Sequence, residues 1–362
     1  MVSVIPVFLV GGLAVQISRE LHLTPASLGL AVAVYFGVTA LGSLPVGSLV
    51  ERYGAARTGR VAIIIAATSM GGIAVAARSL GTLLILLAAA ATANSLGQLS
   101  SNASLARSVP ARRQGITFGA KQSAIPLSTL LAGLAVPTVA LTLGWRWAFG
   151  IAGVLAVGAL ALVPPDQPDP RSAQERRRGR VGTGLVLLGV AAALAAGAAN
   201  ALGAFLVDSS VARGLSEARA GLTLTLGSAL CVLCRLLAGW LADRWQRGHL
   251  GFVAALLGLG AVGMALLGLR SPVALVVGVL LAFGLGWCWP GLLAFAVVRL
   301  RPQAPAAATS ITQTGVYAGA SLGPLGFGVL AAHTGYGVAW MAAAVMMALA
   351  CGCVLLGART AA

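Results

Sequence analysis

The chain has 362 residues, of which 59% are hydrophobic and 9% charged, and its mean hydropathy is +0.95. A soluble domain carries roughly 25% charged residues to cover its surface, so this composition excludes a water-soluble fold and points to an all-α polytopic membrane protein. The net charge of +16 comes from cations in the gaps between apolar runs, without a basic face interleaved with aromatics, so nucleic acid is not an expected partner.

In chain order the apolar runs cover about 1–17, 27–50, 60–77, 81–105, 115–141, 145–163, 183–207, 217–241, 250–268, 272–298, 304–331 and 336–357. Hydrocarbon admits helices or closed barrels, and the ten-residue alternation of a barrel is absent, so twelve transmembrane helices are predicted. Alternate loops divide the arginines unequally. One set of loops with the C-terminus holds sixteen, the other six, and Lys121 and Arg235 fall within the spans. The positive-inside rule then places both termini in the cytoplasm of a multi-pass protein of the cell inner (plasma) membrane.

The longest polar stretch runs from Pro164 to Gly182 and contains four prolines followed by Arg176, Arg177, Arg178 and Arg180. It reads as a cytoplasmic linker, 164–182, between an N-terminal six-helix repeat, 1–163, and a C-terminal one, 183–362. An internal repeat supports that division. Leu23, Thr24, Ala26, Gly29 and Leu30 return 192 residues later as Leu215, Ser216, Ala218, Gly221 and Leu222. Gly47, Glu51 and Arg52 return as Gly239, Asp243 and Arg244, and at offset 191 Gln122 and Gly144 match Gln313 and Gly335. Residues 184–192 have no counterpart because theirs would precede Met1. The expectation is therefore a truncated first helix or an upstream start.

The segment from Gly47 through Glu51, Arg52 and Gly54 to Arg57 resembles the G-x-x-x-[DE]-[RK]-x-G-x-[RK] signature of the major facilitator superfamily. Its echo, Gly239-Trp-Leu-Ala-Asp243-Arg244, sits where that family has a weaker second copy. Gly315, Gly319, Gly323 and Pro324 are similar to a glycine-rich element that the family usually carries in helix five, where this chain has Gly133 and Pro137. The resemblance implies a secondary transporter working by alternating access, with helices one, four, seven and ten lining a central cavity. It also implies that Glu51, Arg52, Arg57, Asp243 and Arg244 form a cytoplasmic latch. The residues themselves allow a plainer role as helix ends whose charges meet neighbouring N-termini.

All eight acids lie in loops or at helix ends, so proton coupling has no obvious carrier. Lys121 and Arg235 are the sharper candidates for contact with a solute, since ionisable residues in a span are costly to keep there. Either could instead snorkel to headgroups. Asn94 and Gln98 share a polar face of helix four, and Asn200, Gln122, Gln313, Tyr317, Trp287 and Trp289 complete the candidate set. Interhelical hydrogen bonding is the alternative for each. Cys231-x-x-Cys234 lacks further ligands, the glycines at 258, 260 and 263 follow no strand, and no catalytic constellation appears, so neither metal, cofactor nor enzyme is expected.

The expected function is transport of a small solute, a small anion or metabolite in preference, because the predicted interior holds cations and amides but no acid. Export of drugs or other hydrophobic compounds is the alternative, and an integral-membrane enzyme or receptor a remote one. The expected partners are a small-molecule substrate and the lipid bilayer, with the protein a monomer.

Overall fold

The computed structural model describes residues 1–108, 114–163, 182–244, 248–300 and 305–361. These residues are helical almost throughout, and among them eleven helical segments are long and apolar enough to cross a membrane. Most of the linker expected at 164–182 lies outside the described residues. In the first repeat α1 (Ile5–Gly12) and α2 (Ala14–Leu21) are followed by α3 (Pro25–Tyr53), α4 (Ala55–Ala76) and α5 (Leu80–Ser108). A fifth crossing combines α6 (Gln114–Gln122), α7 (Ala124–Ala135) and a π-helical turn, Val136–Ala140, and α8 (Trp145–Gly158) forms the sixth.

The second repeat contains α9 (Thr183–Val211), α10 (Glu217–Arg244) and α11 (His249–Gly268). Its tenth crossing joins α12 (Pro272–Val279), a π-helical turn, Leu280–Leu285, and α13 (Trp289–Leu300), before α14 (Pro305–Thr334) and α15 (Tyr336–Ala361). Twelve crossings were expected, and eleven meet the length and apolarity of a span. The remaining apolar run is split at Leu13 into α1 and α2, each of 8 residues. Every residue of α1 is buried, so this segment packs inside the bundle and does not face lipid. Val75, Ile85, Val154 and Leu162, each at least 70% exposed, face outward, as a lipid-facing belt requires.

The duplication is visible in the backbone as well as in the residues. Ser79 caps α5 through the Thr82 N–H at 3.2 Å, and Ser271, 192 residues on, caps α12 through the Ala274 N–H at 3.4 Å. Thr24 and its counterpart Ser216 do the same for α3 and α10. Left-handed turns recur at His22 and Gly214, then at Gly144 and Gly335. Capping and turn geometry are set locally, so their recurrence at offsets of 192 and then 191 residues reflects one topology used twice.

Two seams join the repeats. Along one, α6 and α7 meet α10, where a β-carbon at Gly133 would lie 2.6 Å from the Gly221 carbonyl and one at Gly221 2.7 Å from the Gly133 carbonyl. The Thr129 and Ser228 hydroxyls bond at 2.7 Å beside them. Along the other, α3 meets α14, with Gly29 against the Pro324 carbonyl and the Ser321 hydroxyl donating to the Ala33 carbonyl at 2.9 Å. Within the second repeat, Gly315, Gly319 and Gly323 lie against Gly189, Ala193 and Gly197 in parallel steps of four, which leaves no room for β-carbons between α9 and α14.

Candidate functional site

Three polar clusters sit inside the bundle, and Arg235 anchors the first. It is 2% exposed on α10, next to Gly119 of α6, where a β-carbon would lie 2.7 Å from the Arg235 carbonyl. Its guanidinium crosses the seam. Nε and Nη2 donate to the Trp287 carbonyl at 3.0 and 2.6 Å, and Nη1 donates to the Gln122 carbonyl. The Trp287 ring lies 5.9 Å from the guanidinium carbon, a favourable cation–π placement. Both acceptors are neutral, and among the described residues no carboxylate pairs with this charge. A void of about 10 Å³ lined by Gly119, Gly239, Cys288 and Phe295 adjoins it, enough for about one water. Lys121 lies half-buried on the last turn of α6, one residue before Gln122.

On the opposite seam, Tyr317 of α14 lies beside the exposed Gln313 side chain, one turn earlier, and Ser43 of α3. Ser43 is the repeat counterpart of Arg235 and Gln313 that of Gln122, so the two clusters occupy equivalent positions. The third cluster belongs to the first repeat alone. Asn94, 1% exposed, donates to the Thr39 hydroxyl and accepts from Ser3, both at 3.4 Å, and Ser95 donates to the Thr39 carbonyl at 2.8 Å. Gln98 lies one turn further along α5, half-buried.

Two expected residues stand apart from these clusters. Asn200 donates to the Ala196 carbonyl of its own helix at 2.8 Å. Trp289 is 1% exposed with its indole N–H unpartnered among the described residues. Thr39, Ser43 and Ser3 were missed by sequence reading, because serine and threonine on an apolar helix ordinarily bond their own backbone and give no signal of a network.

Near the arginine-rich face, Asp243 accepts from the Ile116 N–H at 2.9 Å, a carboxylate at the start of a neighbouring helix. Arg244 stacks on Trp240 at 3.8 Å and Arg52 on Tyr53 at 5.3 Å, while Arg57 is exposed. Gly54 has φ of +83° and turns α3 into α4, which explains a glycine there. Gly239 packs against Gly119. Gly47 lies within α3, and the Glu51 side chain lies outside the described residues.

The arginine-poor face is closed between the repeats. Gln16 donates to Glu217 at 2.6 Å and Arg19 pairs with the same carboxylate at 2.5 Å. Close by, Glu20 accepts from the Trp145 indole at 2.6 Å and pairs with Arg146. Those bonds hold its carboxyl below the usual carboxylate range. A second cavity, an apolar groove of about 280 Å³ between α9, α14 and α15, is lined by Gly197, Gly323, Phe327 and Met346 together with Leu322, which is 66% exposed.

A family model described as Major Facilitator Superfamily matches residues 1–188 and again 188–361. The chain belongs to the Major Facilitator Superfamily. No curated protein matches it in sequence. Solved structures resemble it over nearly its whole length at low identity. One is a bacterial homologue of the human lysosomal transporter Spinster, inward-facing and occupied (TM-score 0.79, 16% identity, 99% of this chain and 94% of that one). The proton:xylose symporter XylE follows with a TM-score of 0.73, 16% identity, and coverage of 97% and 93%. The human organic anion transporter MFSD10 has a TM-score of 0.71, 16% identity, and coverage of 97% and 98%. Such identities carry the fold alone. This superfamily member is thus a multi-pass membrane protein with a transporter fold, suited to secondary transport of a small-molecule solute and not an enzyme.

Proposed function

We propose that the solute is a small anion or anionic metabolite, moved by alternating access between repeats 1–163 and 183–362. The observation that carries this reading is the distribution of charge. Lys121 and Arg235 sit within crossings, Lys121 near the start of its span, whereas Glu20, Asp208, Glu217 and Asp243, the described carboxylates, lie within one turn of a helix end. In a low-dielectric interior, net positive charge carried on the crossings favours an anion as the species that enters. Tyr317, Gln313 and Gln98 add neutral donors suited to the remaining oxygens of such a solute.

The arginine-rich loops support cytoplasmic termini and a location in the inner (plasma) membrane, and the reading takes the protein as a monomer. The contact of Asp243 with Ile116 supports a latch on that side shared by Gly47, Glu51, Arg52, Gly54, Arg57, Gly239, Asp243 and Arg244. A second reading, export of hydrophobic compounds, draws on the apolar groove beside Phe327.

A thermal-shift screen of the purified protein against inorganic phosphate, dicarboxylates, amines and hydrophobic cations separates the two. Anions are expected to raise the melting temperature of wild type, and Lys121→Ala to lose most of that rise. A shift produced by hydrophobic cations and by no anion would favour the second reading.

A further inference from the structure

Arg235 looks like a substrate ligand in the sequence, but its donors are already committed, and the acceptors they meet have a common origin. The carbonyl of Gln122 would ordinarily accept from the N–H of residue 126 along the helix, and residue 126 is a proline, which has none. The helix accordingly breaks there, with α6 ending at Gln122 and α7 starting at Ala124. Trp287 lies in the gap between the π-helical turn and α13, ahead of the residue that caps α13, where a carbonyl has no intrahelical donor. Pro290 in the first turn of α13 helps to fix that break. In hydrocarbon both carbonyls would be left unsatisfied. Among the described residues Arg235 bonds both of them, one in each repeat.

We infer that Arg235 is a positioning residue that clamps the broken fifth and tenth crossings together across the seam, and that the neighbouring Lys121, set on the edge of the clamped break, is the cation that meets the solute. The clamp stands on geometry. Only the division of labour with Lys121 rests on the anion reading.

The opposite seam supports this assignment. There the counterpart of Pro126 is Tyr317, the helix α14 runs through unbroken, and the counterpart of Arg235 is the neutral Ser43. A guanidinium stands where a proline has freed a carbonyl, and no charge stands where the helix is whole.

Hydrogen–deuterium exchange on the full chain in lipid nanodiscs tests the clamp. Arg235→Met should raise exchange about tenfold, the loss of one hydrogen bond, in peptides covering 119–127 and 285–292 together. Adding Pro126→Ala, which returns an N–H to Gln122, should abolish the rise in the first peptide and leave the second. Unchanged exchange in both peptides, or a rise in 119–127 that Pro126→Ala does not relieve, would overturn the clamp. If Arg235→Met yields no folded protein, Arg235→Lys, with one ammonium for two carbonyls, should loosen one break, and loosening of neither overturns it.

The same variants report on the solute. With inorganic phosphate and succinate as probes, Arg235→Met should keep the anion-induced thermal shift and Lys121→Ala should lose it. Loss of the shift in Arg235→Met with both breaks still protected would make Arg235 a ligand and overturn the assignment. A wild type that no anion shifts would remove the anion reading, while the exchange result would still decide the clamp.

Discussion

Glu20 shows what one carboxylate contributes at the membrane boundary. Its partners Trp145 and Arg146 stabilise the ionised form, so its folded pKa lies below the unfolded value. The stability this adds is complete above the unfolded pKa and is lost as pH falls through the folded one. With the side chain 48% exposed, the effect is small. Glu20→Gln should lower the thermal midpoint slightly at pH 7, and the gap to wild type should close as pH falls below about 4, the ordinary carboxylate range. Thermal unfolding across that pH range would check it. Arg235 is the residue where sequence reading succeeded and failed together. Its isolation as a charge in a span was legible. Its partners were not, because backbone carbonyls leave no mark in a side-chain pattern, although the proline four residues after Gln122 was a signal that could have found one.

At the scale of elements, small residues decide how closely helices approach. A β-carbon at Gly319 would overlap the carbonyl of Ala193, whereas one at Gly71 of α4 would meet nothing within 4 Å. Gly319→Ala should therefore destabilise the protein by about 1–3 kcal/mol through overpacking, while Gly71→Ala should be neutral or slightly stabilising. Melting temperatures of the two variants in one detergent would distinguish them. The long helices were legible because apolar length is what hydrocarbon selects. The interruptions at Leu13, Ser123 and 286–288 were not, since an apolar run reads the same whether its backbone is α-helical, π-helical or broken. Pro126 and Pro290 hint at breaks, but Pro324 sits inside α14 without one. Proline alone therefore did not predict where a crossing opens.

For the whole molecule, duplication was the most legible feature, since residues, caps and positive-φ turns repeat at offsets of 192 and then 191 residues. The closing of the arginine-poor face was not legible. Gln16 and Arg19 converge on Glu217 only because α2 and α10 meet across the repeats. Glu217→Ala should loosen that closure and increase labelling, from that side, of a cysteine placed at Gln16 in a background without the native cysteines. Equal labelling with and without the substitution would show that helix packing, led by Gly11 against Gly203, holds the face shut unaided.

Since Ser43 stands at the repeat position equivalent to Arg235, the two copies differ at the corresponding joint. One joint is pinned by a charge gripping two peptide oxygens, and the other holds through the packing of Gly29 on the Pro324 carbonyl and the Ser321 hydroxyl bond. On the clamp assignment the halves are expected to move as a door more than a see-saw, swinging on the α10 side and sliding along α3.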